Sequence, residues 1–167
     1  MRRNLTIFPL CTSQRGFSML EILITLVIIA TALLGTAGLQ IYAMRMGQSG
    51  QFRTQAVFLA SDLAERMEAN KTAAVAGAYV TSNTTPLVTG TNCLTSACDS
   101  TSLADYDLEQ WSTDVTNLLP QPTWTVTQTT AGNPSTYRIT LNWVDRSSDK
   151  NSHGETFTYI ATRTVSN

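Results

Sequence analysis

Residues 21–45 read EILITLVIIATALLGTAGLQIYAMR. No charge falls between Glu21 and Arg45, a span of 23 residues, and residues 22–29 are almost purely aliphatic. About 20 predominantly apolar residues suffice for a helix to cross a bilayer core. A buried core helix would carry a polar stripe, and this one has none before Gln40. Arg2, Arg3 and Arg15 precede it with no acid before Glu21, so the positive-inside rule places the N-terminus in the cytoplasm. Residues beyond about 45 then lie on the far side. A cleaved secretory signal is the competing reading, with Ala30-Thr31-Ala32 as its cut site. Two features count against it. The apolar run continues through Leu33, Leu34 and Leu39, and Glu21 stands inside the apolar stretch, where a lone carboxylate costs roughly 2.5–3.5 kcal/mol.

The rest of the composition narrows the function classes. The 167 residues carry 11 Lys+Arg and 12 Asp+Glu, a net charge of −1 and only 14% charged residues. Such a balance is poor for a protein that binds nucleic acid by neutralising phosphates. The single histidine, His153, sits in a polar loop with Ser147, Ser148, Ser152 and Asp149. It is read as a loop residue, not as a member of a catalytic triad. No metal site, cofactor or enzymatic activity is expected.

Moving outward from the apolar run, Arg15-Gly16-Phe17-Ser18-Met19-Leu20-Glu21 resembles the class III leader junction of type IV pilins. The resemblance implies that prepilin peptidase removes residues 1–16 by cutting between Gly16 and Phe17, and that Phe17 becomes the methylated N-terminus. Gly at the cut suits a protease that needs unobstructed backbone. Glu21 falls on the family's glutamate, and its carboxylate is tolerable among apolar helices only when paired. The expected partner is the Phe17 ammonium of a neighbouring subunit. Residues 17–45 then form the transmembrane and filament-core helix. Gly35 and Gly38 interrupt it, each costing about 1 kcal/mol of helix propensity. They are candidates for local melting, in the region where pilins often unwind. With the leader gone, 151 of the 167 residues remain, holding eight cations against twelve acids, and Cys11 leaves with the leader.

Residues 46–167 read as an exported head. Phe52, Ala56, Leu59, Leu63 and Met67 recur at helical spacing, with Arg53, Asp62, Glu65, Arg66 and Glu68 off that stripe. One helix of about 54 residues, roughly 80 Å at 1.5 Å per residue, is predicted from 17 to about 70. Asp62 and Arg66 form an i,i+4 pair. A Thr/Ser/Asn-rich loop over 80–101 holds Cys93 and Cys98, for which an exported location makes a disulfide the default. Half a zinc site is the alternative, with neither a second pair nor a nearby His to complete it. A second helix over 102–119 is predicted from Ala104, Leu108, Trp111, Val115 and Leu118, with Ser102 and Asp105 approximating a capping box and Pro120 ending the run. Asp105, Asp107, Glu109 and Asp114 scatter around it and are read as its solvated face. Alternation over 123–165 predicts three antiparallel strands, apolar face inward, with Trp111, Trp124 and Trp143 in the core.

The head motifs extend the resemblance. Asp62-Leu63-Ala64-Glu65-Arg66-Met67, Asn70, Gly77-Ala78-Tyr79, the Cys93/Cys98 pair, Tyr106-Asp107-Leu108 with Trp111, Leu119-Pro120 and Trp143-Val144-Asp145 are similar to the PilV family of minor pilins. That implies the α+β type IV pilin fold, a long N-terminal helix packed on a small antiparallel sheet with an extra helix between them. It also implies a non-catalytic subunit that joins other minor pilins and the major pilin in a tip complex that primes pilus assembly. Its further partners would be prepilin peptidase, the inner-membrane assembly platform and the membrane, crossed once, with no nucleic acid. It would lie in the bacterial inner membrane with its head in the periplasm, then in the pilus. The rival readings are a type II secretion pseudopilin and an adhesin or DNA-uptake pilin.

Overall fold

Helix α1 begins where Ser18 can cap it. The Ser18 carbonyl accepts from the Ile22 amide at 3.2 Å and its hydroxyl accepts from the Leu20 amide at 3.3 Å. In the computed structural model, which describes residues 16–90, 92–145 and 154–167, α1 runs Met19–Ala69. Arg2, Arg3, Cys11, Arg15, Ser147, Ser148, Asp149, Ser152 and His153 lie outside the described residues. The chain divides into two compact units, Met1–Ala43 and Met44–Asn167.

In the first unit every described residue is exposed. The three threonines of its helix satisfy their own hydroxyls: Thr25 donates to the Ile22 carbonyl, Thr31 to Ile28 and Thr36 to Leu33, at 2.8–2.9 Å. A hydroxyl bonded back to its own helix brings little unpaired polarity into an apolar surrounding. Gly35 and Gly38 are both helical.

The second unit holds the core. Ala56, Leu59, Ala60, Leu63 and Met67 are buried on α1. The chain breaks at Asn70, whose side-chain Nδ2 donates to the Ser100 carbonyl at 2.7 Å, and resumes as a short helix, α2, Lys71–Ala76. Gly77 ends α2 in the left-handed region at φ 90°, with its amide on the Ala74 carbonyl and that of Ala78 on Ala73. This is a Schellman arrangement. The left-handed conformation calls for glycine, and a Cβ there would also displace the end of the Gln128 side chain, whose Oε1 stands 2.9 Å away.

Strand β1, Thr81–Asn83, follows, then α3, Ser100–Leu118, and strands β2, Thr123–Thr130, β3, Ser135–Asp145, and β4, Glu155–Val165. The sheet is antiparallel in the order β1-β2-β3-β4. It therefore has four strands where alternation predicts three. Thr-Ser-Asn is too short and too polar to show periodicity; its strand conformation comes from pairing with Trp124, Thr125 and Val126. Helix α3 also starts two residues before its expected position. Asp99, not Ser102, is the N-cap, accepting the Ser102 amide at 2.7 Å. At the other end Leu119 is buried while Leu118 is 43% exposed, because the chain leaves the helix there and turns Leu119 inward.

Tyr137, Ile139, Leu141 and Trp143 line the inner face of β3, and all are buried. Trp111 meets Trp124 edge-on at 6.1 Å between centroids and donates its Nε1 hydrogen to the Leu59 carbonyl at 2.8 Å. Trp143 stacks on Phe157, over which Arg53 lies at 5.1 Å. Tyr137 donates to the Ala74 carbonyl at 2.7 Å, so each of these bulky residues also ties two elements together.

Candidate functional site

Two groups of residues stand apart from ordinary packing: the start of α1 and a polar cluster inside the head. At the first, Gly16 and Phe17 precede the helix and are exposed, Phe17 to 80%. The Ser18 cap fixes this arrangement by beginning the helix at Met19, two residues past Phe17. The Gly16–Phe17 peptide therefore lies in non-helical, solvent-facing backbone, the form in which a protease can take it. A Cβ at Gly16 would meet nothing within 4 Å, so the fold of this chain does not itself demand glycine there.

Four residues further, Glu21 occupies the first turn of α1, where a carboxylate favours the helix dipole. No cation pairs with it among the described residues. Around it the surface is apolar: Leu20 is 64% exposed, and Ile24 and Leu23 are more than half exposed. This surface continues along the helix through Leu34, Leu39 and Ile41. An isolated exposed leucine means little, but an uninterrupted apolar surface around a whole helix calls for an apolar surrounding. The helix is long and apolar enough to cross a membrane. At Gly35 and Gly38 the absent Cβ atoms would again meet nothing within 4 Å, leaving bare backbone on the helix surface.

In the head, Arg66 donates to Asp62 Oδ2 at 2.8 Å and to Asp107 Oδ1 at 3.3 Å, while Tyr79 donates its hydroxyl hydrogen to Asp107 Oδ2 at 2.6 Å. The Asp62–Arg66 pair expected from spacing is thus one limb of a larger cluster joining α1, α3 and the segment after Gly77. Burial opposes the Arg66 charge, but Asp62 and then Asp107 outweigh it and hold its pKa above the ordinary value. Burial and then the Asp107 bond raise the Tyr79 phenol far above its usual range, so it remains a donor. Asp107 is buried, which corrects the reading that places it on a solvated helix face. The signal was present in the sequence: Asp107 is three residues after Ala104 and four before Trp111, on the apolar stripe.

The disulfide loop is fastened to the same helix. Cys93 and Cys98 are joined, with the sulfurs 2.03 Å apart. The Leu87 amide donates to Ser112 Oγ at 2.9 Å, and Thr89 donates from both amide and hydroxyl to Glu109 Oε2. Those Thr89 bonds hold the Glu109 carboxyl below its ordinary range. No group of three or more metal-ligating side chains occurs among the described residues.

Residues 38–109 match the family model described as type IV pilin Tt1218, and residues 11–37 match the prokaryotic N-terminal methylation motif. No curated protein and no solved structure matches the chain. The α+β arrangement of a long N-terminal apolar helix and a small four-stranded antiparallel sheet is that of the type IV pilin fold.

Proposed function

From a chain that carries a type IV pilin domain and an N-terminal methylation motif, we propose a minor pilin of the PilV type. Prepilin peptidase cuts between Gly16 and Phe17 and the new Phe17 amine is methylated. The chain waits in the inner membrane, crossed once by the 17–45 helix, with the 46–167 head in the periplasm. It then joins other minor pilins and the major pilin on the inner-membrane assembly platform, in a tip complex that primes the filament. The role is structural and involves no catalysis and no cofactor.

The observation that carries the reading is the lone Glu21 carboxylate in a fully exposed apolar helix, four residues from a capped, accessible Gly16–Phe17 bond. In a bilayer an unpaired carboxylate costs roughly 2.5–3.5 kcal/mol, which a neighbour's Phe17 ammonium would offset. The methylated amine keeps its positive charge, so the pairing survives processing. Helix melting at Gly35 and Gly38 belongs to assembly in this account, since the subunit keeps both helical.

The test is co-purification of the full-length processed chain, in mild detergent, with the pilin subunits of the same cell. Recovery with the other minor pilins of the pilus is the expected result. Recovery with secretion pseudopilins instead would transfer the chain to that system.

A further inference from the structure

The two edges of the sheet differ in kind. One side ends in β1, whose three residues, Thr81–Asn83, leave little to pair with, and shortness protects an edge. The other ends in β4, eleven residues, Glu155–Val165, paired to β3 without a register shift. Between 156 and 164 it carries no proline and a single charge, Arg163. Among the described residues the backbone of 156–164 bonds only to β3, so its outward amides and carbonyls are free. A long, regular edge with so little charge is a template for a further strand.

Burial across the sheet points the same way. Tyr137, Ile139, Leu141 and Trp143 on the inner face of β3 are buried, whereas Phe157, Tyr159 and Ala161 on the same face of β4 are only half-buried. Beside them lies a cavity of about 260 Å³, lined by Arg53 and Val57 of α1, Trp143 of β3, and Phe157, Thr158 and Tyr159 of β4. Successive strand residues face opposite ways, so a cavity that touches all three β4 residues wraps round the strand and opens at its free edge. Its cation is already placed, because Arg53 lies over the Phe157 ring at 5.1 Å. Among the described residues that guanidinium has no carboxylate partner.

We infer that the β4 edge is a docking site for an extended, acidic peptide segment of a partner protein, which adds as a fifth strand and seats a Glu or Asp carboxylate on Arg53. Backbone bonds to β4 hold the segment, and its alternate side chains cover Phe157, Tyr159 and Ala161. The guanidinium, fixed on the ring, takes the carboxylate and so sets the direction and register of the segment. The same edge of a second copy would not supply that carboxylate, since residues 156–164 hold Arg163 and no acid. Every residue involved belongs to the head, so the site is independent of how the stem is processed or assembled.

The experiment measures, by fluorescence anisotropy, binding of the labelled peptide Val-Thr-Val-Thr-Glu-Thr-Val-Thr-Val to the full chain in mild detergent. The expected result is saturable binding that weakens at least about tenfold when the peptide's Glu is replaced by Lys, the scale of one charged hydrogen bond. Arg53→Glu, a change at an exposed side chain, should reverse that preference while the head stays folded. Of two peptides N-methylated at alternate residues, one set on each edge, one should lose binding and the other keep it, because a strand pairs through one edge. Absence of saturable binding, equal affinity for the Glu and Lys peptides, indifference to Arg53→Glu, or equal behaviour of the two N-methylated peptides would each overturn the inference. Competition by free glucuronate as strong as that by unlabelled peptide would also do so, giving the cavity to an acidic sugar.

Discussion

The two halves of α1 obey one backbone geometry and meet two different solvents. Over residues 19–43 every side chain is exposed and nearly all are apolar, and the few hydroxyls bond to their own helix. Over residues 44–69 Ala56, Leu59, Ala60, Leu63 and Met67 form a buried stripe, while Val57, Phe58 and Glu65 are exposed. In the first half the protein supplies no surrounding and leaves it to lipid or to other helices. In the second half the chain supplies its own, from α3 and the sheet. Stability of the head is therefore a property of one subunit, whereas the environment of the stem depends on its membrane or its neighbours.

Substitutions that act on one half alone would break this division if their effects crossed over. The largest expected effect is Trp111→Ala, which empties a fully buried site between Leu59 and Trp124 and should cost the head about 3–5 kcal/mol. Urea unfolding in detergent reads it, and Leu26→Ala in the exposed stem should leave the same midpoint unmoved. Glu21→Ala is the converse case. It should leave membrane insertion and head unfolding as they are while reducing recovery in sheared pili more than about tenfold, if removing the pairing forfeits even half of the cost of a lone buried carboxylate. Normal incorporation of that variant would remove the pairing from the account.

Smaller effects sharpen the boundary within the head. Asp107→Ala takes the acceptor from Tyr79 and one partner from Arg66, and should cost about 2 kcal/mol in the same unfolding measurement. Loss of the Cys93–Cys98 bond in a double Ser variant should cost about 2 kcal/mol, the chain-entropy value for so short a loop. The least effect is at the N-cap of α3. The Ser102 amide holds the Asp99 carboxyl below its ordinary pKa. A depressed folded-state pKa means the stabilisation is full above the ordinary carboxylate range and is lost as pH falls through the lowered value. Acidification should therefore fray residues 100–102 first, seen as faster amide exchange there, and Asp99→Ala should exchange at the fast rate at every pH.

How much of this was legible in residue order depends on whether each feature is local. The stem is a run of side chains and strands β2 to β4 alternate visibly; both follow from neighbours in sequence, whereas the helix, expected from 17, begins at Met19 behind the Ser18 cap. Strand β1 was missed because three polar residues have no period, and their conformation is imposed by β2 some 40 residues later. The α3 cap was misplaced because Ser102 and Asp99 are both good capping residues, and the one that caps is the one whose carboxylate reaches the free amide.

The sequence by itself therefore determined that this protein has a long apolar helix and an α+β order of elements, because those properties are sums over adjacent residues. Only the tertiary structure decided that Arg66, Tyr79 and Asp107 form one cluster, that Trp111 hangs its indole on Leu59, and that Phe58 and Leu118 stay uncovered beside Asp62 and Asp114. Those depend on which surfaces meet when α3 folds back antiparallel on α1, and the separation between partners, 41 residues for Arg66 and Asp107 and 52 for Leu59 and Trp111, leaves no periodic trace in the chain.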